Sequence, residues 1–321
     1  MNKLLTILSD GEFHSGEELG NLLGISRTAI WKQMQKVEAL GLPVESQKGC
    51  GYRVVGGLDL LAEVALSDHL SAAAKALVQK LQIEASVTST NELARLQAEV
   101  GDASGLVVLA EQQTAGRGRR GRQWVSPYGC NLYLSVVWAF EGGIQAIEGL
   151  SLAIGVAARR AMVHCGAEGI KLKWPNDLLW EKKKVGGILL EIVGDPTGYC
   201  QVVVGLGLNF GMPHRHAAEI AQDWADLSEI LPEGVGRNLL AATLLDEVLL
   251  LLSSYHEVGF AHYREDWLSS DAYANQPVKL LLVKQTIEGV ARGVDGSGAL
   301  ELEIDGERHL FSGGEISLRG L

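Results

Sequence analysis

The predicted fold class is α+β in three parts: an N-terminal winged helix-turn-helix unit, a central mixed-sheet domain and a small C-terminal β-barrel-like domain. Three observations predict it. Residues 1–56 carry helical periodicities separated by glycine stops. From about residue 84 to 270, apolar strand-like runs alternate with helical patterns. Residues 275–321 turn to short strand-like runs separated by Asp295-Gly296 and Asp305-Gly306.

In the first part, Leu4, Leu5 and Leu8 mark one helix. Ser15 and Glu18 have capping-box spacing before a second, whose apolar face is Leu19, Leu22 and Leu23 and whose stop is Gly24. Ser26 caps a third, Arg27 to Leu40, ended by Gly41. Ile30, Met34 and Val37 form its inward stripe, and Thr28, Trp31, Lys32 and Gln35 form an outward one. Arg27, Lys32 and Lys36 stand there without an acid in residues 26–36. A helix lying in a DNA major groove needs this mixture of phosphate-pairing cations and hydrogen-bonding side chains. Residues 44–55 then predict two short strands around glycine, a wing offering Lys48 and Arg53 to phosphates. The competing reading is a small helical unit that binds protein. Gly56-Gly57 and a helical stretch around Ala62–Leu81 predict a hinge and linking helix.

In the central part the strand-like runs are Leu106–Ala110, Leu132–Trp138, Ile170–Trp174, Gly186–Val193 and Gln201–Gly205, and the helical patterns are Asn91–Val100, Gly149–Cys165 and Arg237–Tyr255. The C-terminal runs are Val278–Val283, Ile287–Val294 and Leu300–Ile304. The expected division is 1–57, 58–84, 85–270 and 271–321.

Composition narrows the function. With 321 residues, 47% hydrophobic and 21% charged, the chain is ordinary globular protein, not a disordered chain, collagen or a coiled-coil rod. At net charge −11, any nucleic-acid contact must use a local basic patch. Cys50, Cys130, Cys165 and Cys200 are too far apart for a zinc motif, and no disulfide framework is expected. No apolar run is read as approaching the ~20 residues of a membrane span. The N-terminus lacks a signal-peptide cleavage site. A cytoplasmic protein without membrane contact is expected.

The densest chemical signal is Gly116-Arg117-Gly118-Arg119-Arg120-Gly121-Arg122-Gln123-Trp124. Four mutually repelling guanidinium groups on a glycine-rich loop become favourable to order when an anion arrives. An RNA-binding segment or a solvated loop is the alternative, but this loop lies between two strands of a folded domain. It is neither a Walker P-loop nor a dinucleotide fingerprint. Lys171-Leu172-Lys173-Trp174-Pro175-Asn176-Asp177 reads on its residues alone as a hairpin turn. Lys182-Lys183-Lys184 reads as solvated charge, except that Lys184 opens a buried-looking strand beside Gly186-Gly187. Gly205-Leu206-Gly207-Leu208-Asn209 is a strand ending in an amide. Ser89 and Glu92 are accounted for by a second capping box, leaving Thr90 and Asn91 open to a ligand. No nucleophile triad, HExxH motif or carboxylate cage is present. Catalysis would rest on holding anions in place.

In this order, STN, QTAGRGRRGRQW, KWPND, KVGGIL, GLGLN and GGEISLR resemble the biotin protein ligases, and the winged helix resembles their bifunctional, repressing members. The resemblance spans essentially the whole chain. It implies a catalytic domain of the biotin/lipoate ligase type with an SH3-like C-terminal domain. Such enzymes use ATP with Mg2+ to convert biotin to biotinyl-5′-AMP. They then transfer biotin to a lysine of the biotin carboxyl carrier protein of acetyl-CoA carboxylase. By match to the family motifs, Ser89, Thr90, Asn91 and Gln113 would hold the biotin head. Arg117, Gly118 and Arg119 would cover the carboxylate and acyl phosphate, and Lys184 would donate to both in the transition state. Arg122, Asn176, Asn209, Trp224 and Arg319 would face the nucleotide, with Trp224 stacked on adenine. No resident protein-bound metal is implied. The same resemblance implies binding to operator DNA of biotin synthesis genes as a homodimer when biotinyl-AMP is bound. Arg27, Thr28, Trp31, Lys32, Gln35 and Lys48 would make that DNA contact. Two features depart from the pattern. Cys50 stands where related wings often carry lysine, and the linker Val55–Leu58 lacks the expected proline. A ligase whose winged helix serves only interdomain contact, and an acyl ligase using lipoate or octanoate, are the competing functions.

Overall fold

The computed structural model describes every residue except 214, 215, 217, 218, 283, 284, 314, 315 and 321. The end of the predicted run at Val283, and Gly314 and Glu315 of the last motif, lie outside the described residues.

The first unit comprises α1 (Asn2–Leu8), α2 (Gly16–Leu23), α3 (Arg27–Ala39) and a ribbon of β1 (Val44–Gln47) and β2 (Gly51–Val54). The Ser15–Glu18 capping box forms, Gly24 ends α2 in the left-handed region at φ 67°, and the Ser26 side chain accepts from the Ala29 amide. Leu4, Leu5, Leu8, Leu19, Ile30, Met34 and Val37 make one core. That burial leaves Arg27, Thr28, Trp31, Lys32, Gln35 and Lys48 exposed. The wing presses on the first loop: a Cβ at Gly51 would lie 1.9 Å from the His14 carbonyl oxygen. Arg53, expected to face phosphates, instead pairs with Glu45 at 2.6 Å and lies over the Phe13 ring.

The segment expected to be a hinge and one linking helix is two short helices, α4 (Glu63–His69) and α5 (Ala72–Leu77), followed by a sheet strand, β3 (Lys80–Glu84). The next elements are α6 (Thr90–Val100), β4 (Leu106–Ala110), β5 (Leu132–Phe140), the short α7 (Gly143–Ala146) and α8 (Leu150–His164). Then come β6 (Ile170–Lys173), β7 (Asp177–Trp180), β8 (Lys183–Gly194), β9 (Cys200–Leu208), α9 (Arg237–Val258) and α10 (Arg264–Ser270). Strands β3 to β9 form one mixed sheet in the order β3-β4-β5-β9-β8-β7-β6, in which only β3 and β4 run parallel. One face is covered by α6 through Ala94 and Ala98, the other by α8 and α9 in the main core. The 22-residue α9 is long and apolar enough to cross a membrane, contrary to the reading of the sequence. It packs against α4, α5 and α8, and its buried face explains the composition.

The last unit is a five-stranded sheet, β13-β12-β11-β10-β14, made of β10 (Pro277–Leu281), β11 (Thr286–Val294), β12 (Leu300–Ile304), β13 (Glu307–Phe311) and β14 (Ser317–Gly320). Its Val278, Leu280, Ala291, Leu302 and Leu318 join the main core.

Side chains, not proline, fasten the linker after the wing. Buried Arg237, at the start of α9, pairs with Glu111 at 2.8 Å and donates to the backbone carbonyl of Asp59 at 2.7 Å. Glu111 in turn accepts from the Leu61 amide at 2.6 Å. Each charge here has its partner, as a buried charge requires.

Candidate functional site

The site lies where β5, β8 and β9 pass beneath the loop 116–124 and the start of α6. Ser89 is the N-cap of α6 but makes no side-chain cap bond, so the second capping box does not form. Glu92 turns away to Arg95 at 2.8 Å and Arg117 at 2.8 Å; two guanidinium partners outcompete one backbone amide. Ser89 is thereby left on the wall of a cavity.

That inner cavity is lined by Ser89, Thr90, Asn91, Gln113, Arg117, Gly118, Arg119 and Lys184, with Trp124, Leu134, Ile188, Leu189 and Leu206 as apolar wall. Its deep end is a neutral hydrogen-bonded network. Gln113 Oε1 accepts from the Thr90 amide at 2.9 Å and its hydroxyl at 3.2 Å, and Gln113 Nε2 donates to Ser126 at 3.1 Å. Ser135 Oγ lies 2.8 Å from Thr90 Oγ1 and 2.7 Å from Asn91 Oδ1. Asn91 Nδ2 donates to Glu191 at 2.8 Å. Glycines make the room. A Cβ at Gly205 would stand 2.1 Å from Asn91 Oδ1, and one at Gly207 2.6 Å from the Trp124 ring.

The loop above is closed by its own backbone. Trp124 N donates to Gly116 O at 2.9 Å and Gly118 N to Arg122 O at 2.7 Å. Its glycines do different work. A Cβ at Gly116 would stand 2.6 Å from Ser126 Oγ, so none fits, and Gly121 takes φ 68°. Arg117 reaches Glu92 and, at 3.4 Å, Glu191. Arg119 donates to Asn176 Oδ1 at 2.9 Å, and its burial lowers its pKa.

The second, outer cavity has a volume of about 370 Å³ and is lined by Arg119, Arg120, Arg122, Lys173, Asn176, Lys184, Asn209, Trp224 and Arg319. Gly118, Arg119, Trp124, Asn176 and Lys184 line both cavities. Trp224 is brought there because its segment pairs with the backbone of Lys184: Lys184 N donates to Asp223 O, and Ala225 N to Lys184 O, each at 3.0 Å. Asn209 spends its Nδ2 on the carbonyls of Lys184 (3.0 Å) and Ala225 (3.2 Å), so it holds that pairing in place. Asp177 bridges Lys184 at 2.6 Å and Lys173 at 3.0 Å. Burial pushes its carboxyl up, but the two lysines outweigh burial and hold it at about 2. Burial lowers the pKa of Lys173, against the pull of Asp177.

The sequence-predicted ligand residues thus fall on one or other of two adjoining cavities, and the expected DNA-facing residues are exposed, five along α3 and Lys48 in the turn of the wing. Ser135, Glu191 and Asp177 were not among the expected site residues. Ser135 had a signal: it is the lone polar residue in the apolar run Leu132–Phe140. Nothing local marks Glu191 as a partner for Asn91 and Arg117.

A cavity with a neutral hydrogen-bonded floor under a cationic loop, adjoining a second cationic cavity and carried beside a winged helix-turn-helix, defines a ligase-type catalytic unit joined to a DNA-binding fold. Family models match along the chain: the biotin/lipoate A/B protein ligase family over residues 84–209, an HTH domain over 1–53 and the biotin protein ligase C terminal domain over 273–319. The bifunctional ligase/repressor BirA of Escherichia coli is 40% identical over 99% of this chain and 96% of its own length. A biotin–[acetyl-CoA-carboxylase] ligase of Mycobacterium tuberculosis is 32% identical over 80% of this chain and 95% of its own. The biotin protein ligase of Aquifex aeolicus, solved with biotin and ATP, superposes with a TM-score of 0.65 at 28% identity, covering 76% of this chain and 100% of that one. The chain belongs to the biotin protein ligase family, in the form that carries an N-terminal helix-turn-helix.

Proposed function

We propose that the protein joins biotin to ATP across the two cavities, giving biotinyl-5′-AMP, and passes the biotinyl group to a lysine of a biotin carboxyl carrier protein. The observation that carries this reading is the sharing of Arg119, Asn176 and Lys184 by both cavities. The inner cavity suits a small acid with a compact hydrogen-bonding head, an apolar stem and a carboxylate near Arg119 and Lys184. The outer one suits a nucleotide polyanion, with Mg2+ arriving on the nucleotide.

The reacting groups are both anionic and repel, so the protein must neutralise them and fix their approach. A carboxylate oxygen attacks the α-phosphorus, the bond to the β-phosphate oxygen breaks, and pyrophosphate leaves. Lys184, steered by Asp177, faces the charge that builds between the two. Arg117 and Arg119 cover the mixed anhydride and keep water from it. An amine of the carrier then attacks the acyl carbon, and AMP departs with the bonding pair.

The deep network of Thr90, Asn91, Gln113 and Ser135 favours biotin over octanoate or lipoate. An alkyl chain or a dithiolane ring would make no hydrogen bond with that network, forgoing about 0.5–1.5 kcal/mol for each bond a matching head group forms. Incubation with ATP radiolabelled at the α-phosphate and each acid in turn tests the choice. Labelled acyl-AMP from biotin alone supports it, and equal product from octanoate contradicts it.

The same reading takes the winged helix as an operator-binding unit, active in the cytoplasm as a homodimer formed when the adenylate is bound. The four-part division at 57, 84 and 270 belongs to this reading. The exposed stripe of α3 supports the DNA contact, through Trp31, Lys32 and Gln35 with Arg27, Thr28 and Lys48 at its margins. Gel shift on the chain's own biotin-gene region, with biotin and ATP, should show binding that Trp31→Ala and Lys32→Ala abolish. Sedimentation should show mass doubling with biotinyl-AMP, and unchanged mass at micromolar protein would contradict the coupling.

A further inference from the structure

We propose that Trp174 is a positioning residue for nucleotide binding: it clamps the C-terminal β unit to the catalytic sheet so that Arg319 faces the nucleotide cavity. Trp174 is among the largest side chains fully buried in the protein. Its Nε1–H donates to the Gly298 carbonyl at 3.1 Å, across 124 residues of sequence. The tight turn around Gly298 is shaped to present that carbonyl. Asp295 Oδ1 accepts from Ser297 N at 2.9 Å, Ser297 Oγ at 2.8 Å and Ala299 N at 2.9 Å. The seat leaves no slack. Gly298 sits at φ 85°, and a Cβ there would stand 2.8 Å from Leu152 Cδ1 and 3.1 Å from Gly149 Cα.

From this anchored turn the unit runs through β12 and β13 and returns in β14, where Ser317, Leu318 and Arg319 line the same cavity as Trp174, Pro175 and Asn176. The three residues after Trp174 fasten other parts of the site. Pro175 O accepts from Ser151 of α8 at 3.0 Å, Asn176 holds Arg119, and Asp177 holds Lys173 and Lys184. Trp174 alone among them reaches the β unit through its side chain. The four-residue turn therefore registers two walls of one cavity, built from the catalytic sheet and from the C-terminal β unit.

The inference rests on the nucleotide role given above to Arg319. The variants are Trp174→Phe, which keeps an aromatic ring but deletes the indole N–H donor, Asp295→Ala, which loosens the turn away from the cavity, and Arg319→Ala. The first two are also combined with Arg319→Ala, and all five proteins are assayed beside the parent for pyrophosphate release at varied ATP and varied biotin. Trp174→Phe should raise the KM for ATP about tenfold. Asp295→Ala should raise it in the same direction, with biotin affinity held within about twofold by titration calorimetry. Neither should raise it further in the Arg319→Ala background, since residues acting through one group do not add. Should Trp174→Phe not fold, Asp295→Ala and its double variant decide. If Arg319→Ala raises the KM while Trp174→Phe and Asp295→Ala do not, or if the effects add, the clamp is wrong and the nucleotide role of Arg319 stands. If Arg319→Ala leaves the KM unchanged, that role and the clamp both fail.

Discussion

The floor and the roof of the inner cavity are built on opposite principles. The floor is neutral and internally bonded: Thr90, Asn91, Gln113 and Ser135 are tied to one another before any ligand arrives. The roof is cationic and held by fewer ties. Arg117 is pinned by acids, and Arg119 by Asn176, while Arg120 and Arg122 are in no ion pair among the described residues. Arg120 occupies φ 60°, a left-handed conformation unusual for a side chain of its size. Each design suits the task proposed for it. A preorganised neutral floor selects a head group by hydrogen-bond match. A cationic roof adapts to charge that appears only when the second substrate binds and reacts.

The contrast can be broken most severely at the cations. Lys184→Ala should slow adenylate formation by roughly 10²–10³-fold, while biotin affinity falls far less. Rapid-quench measurement of biotinyl-AMP beside calorimetry of biotin separates the two. An equal fall in both would make Lys184 part of the floor. Arg119→Ala should come next, releasing the adenylate roughly 10–100-fold faster because a charge-assisted contact is lost. Free adenylate would then label lysines on bystander proteins, and a tightly held intermediate would deny the loop its retaining role. Asp177 ties Lys184 of β8 to Lys173 of β6. Its folded pKa of about 2 lies below the ordinary 3.8, so its stabilisation is present above pH 4 and lost as pH falls through 2. Asp177→Asn should therefore cost about 2 kcal/mol at pH 7 and progressively less toward pH 2 in urea melts. A constant difference across that range would remove the ion pairs as the cause. Ser135→Ala is the smallest change. It should weaken biotin roughly tenfold and leave the rate at saturating biotin nearly intact.

What the sequence made legible follows the same physics. The buried stripe and exposed face of α3 were readable because helical period sorts residues without tertiary help. So were the continuous apolar runs of β4, β5, β8 and β9. The half-polar edge strand β3 and the largely exposed β13 carry too little apolar pattern to announce themselves. The site was legible through motif resemblance more than through local chemistry. Gly205 and Gly207 looked weak because their reason, space for Asn91 and the Trp124 ring, comes from other elements. The Ser89–Glu92 capping box failed because Glu92 had better partners in Arg95 and Arg117, one of them 25 residues away.

The central claim is that two cavities sharing Arg119, Asn176 and Lys184 bring an acid and a nucleotide together. Pyrophosphate release by the purified chain, with biotin and MgATP but no carrier protein, tests it most directly. A biotin-dependent burst stoichiometric with protein is expected, followed by slow turnover as the retained adenylate blocks the site. Absence of any pyrophosphate, or a burst that does not require biotin, would contradict it.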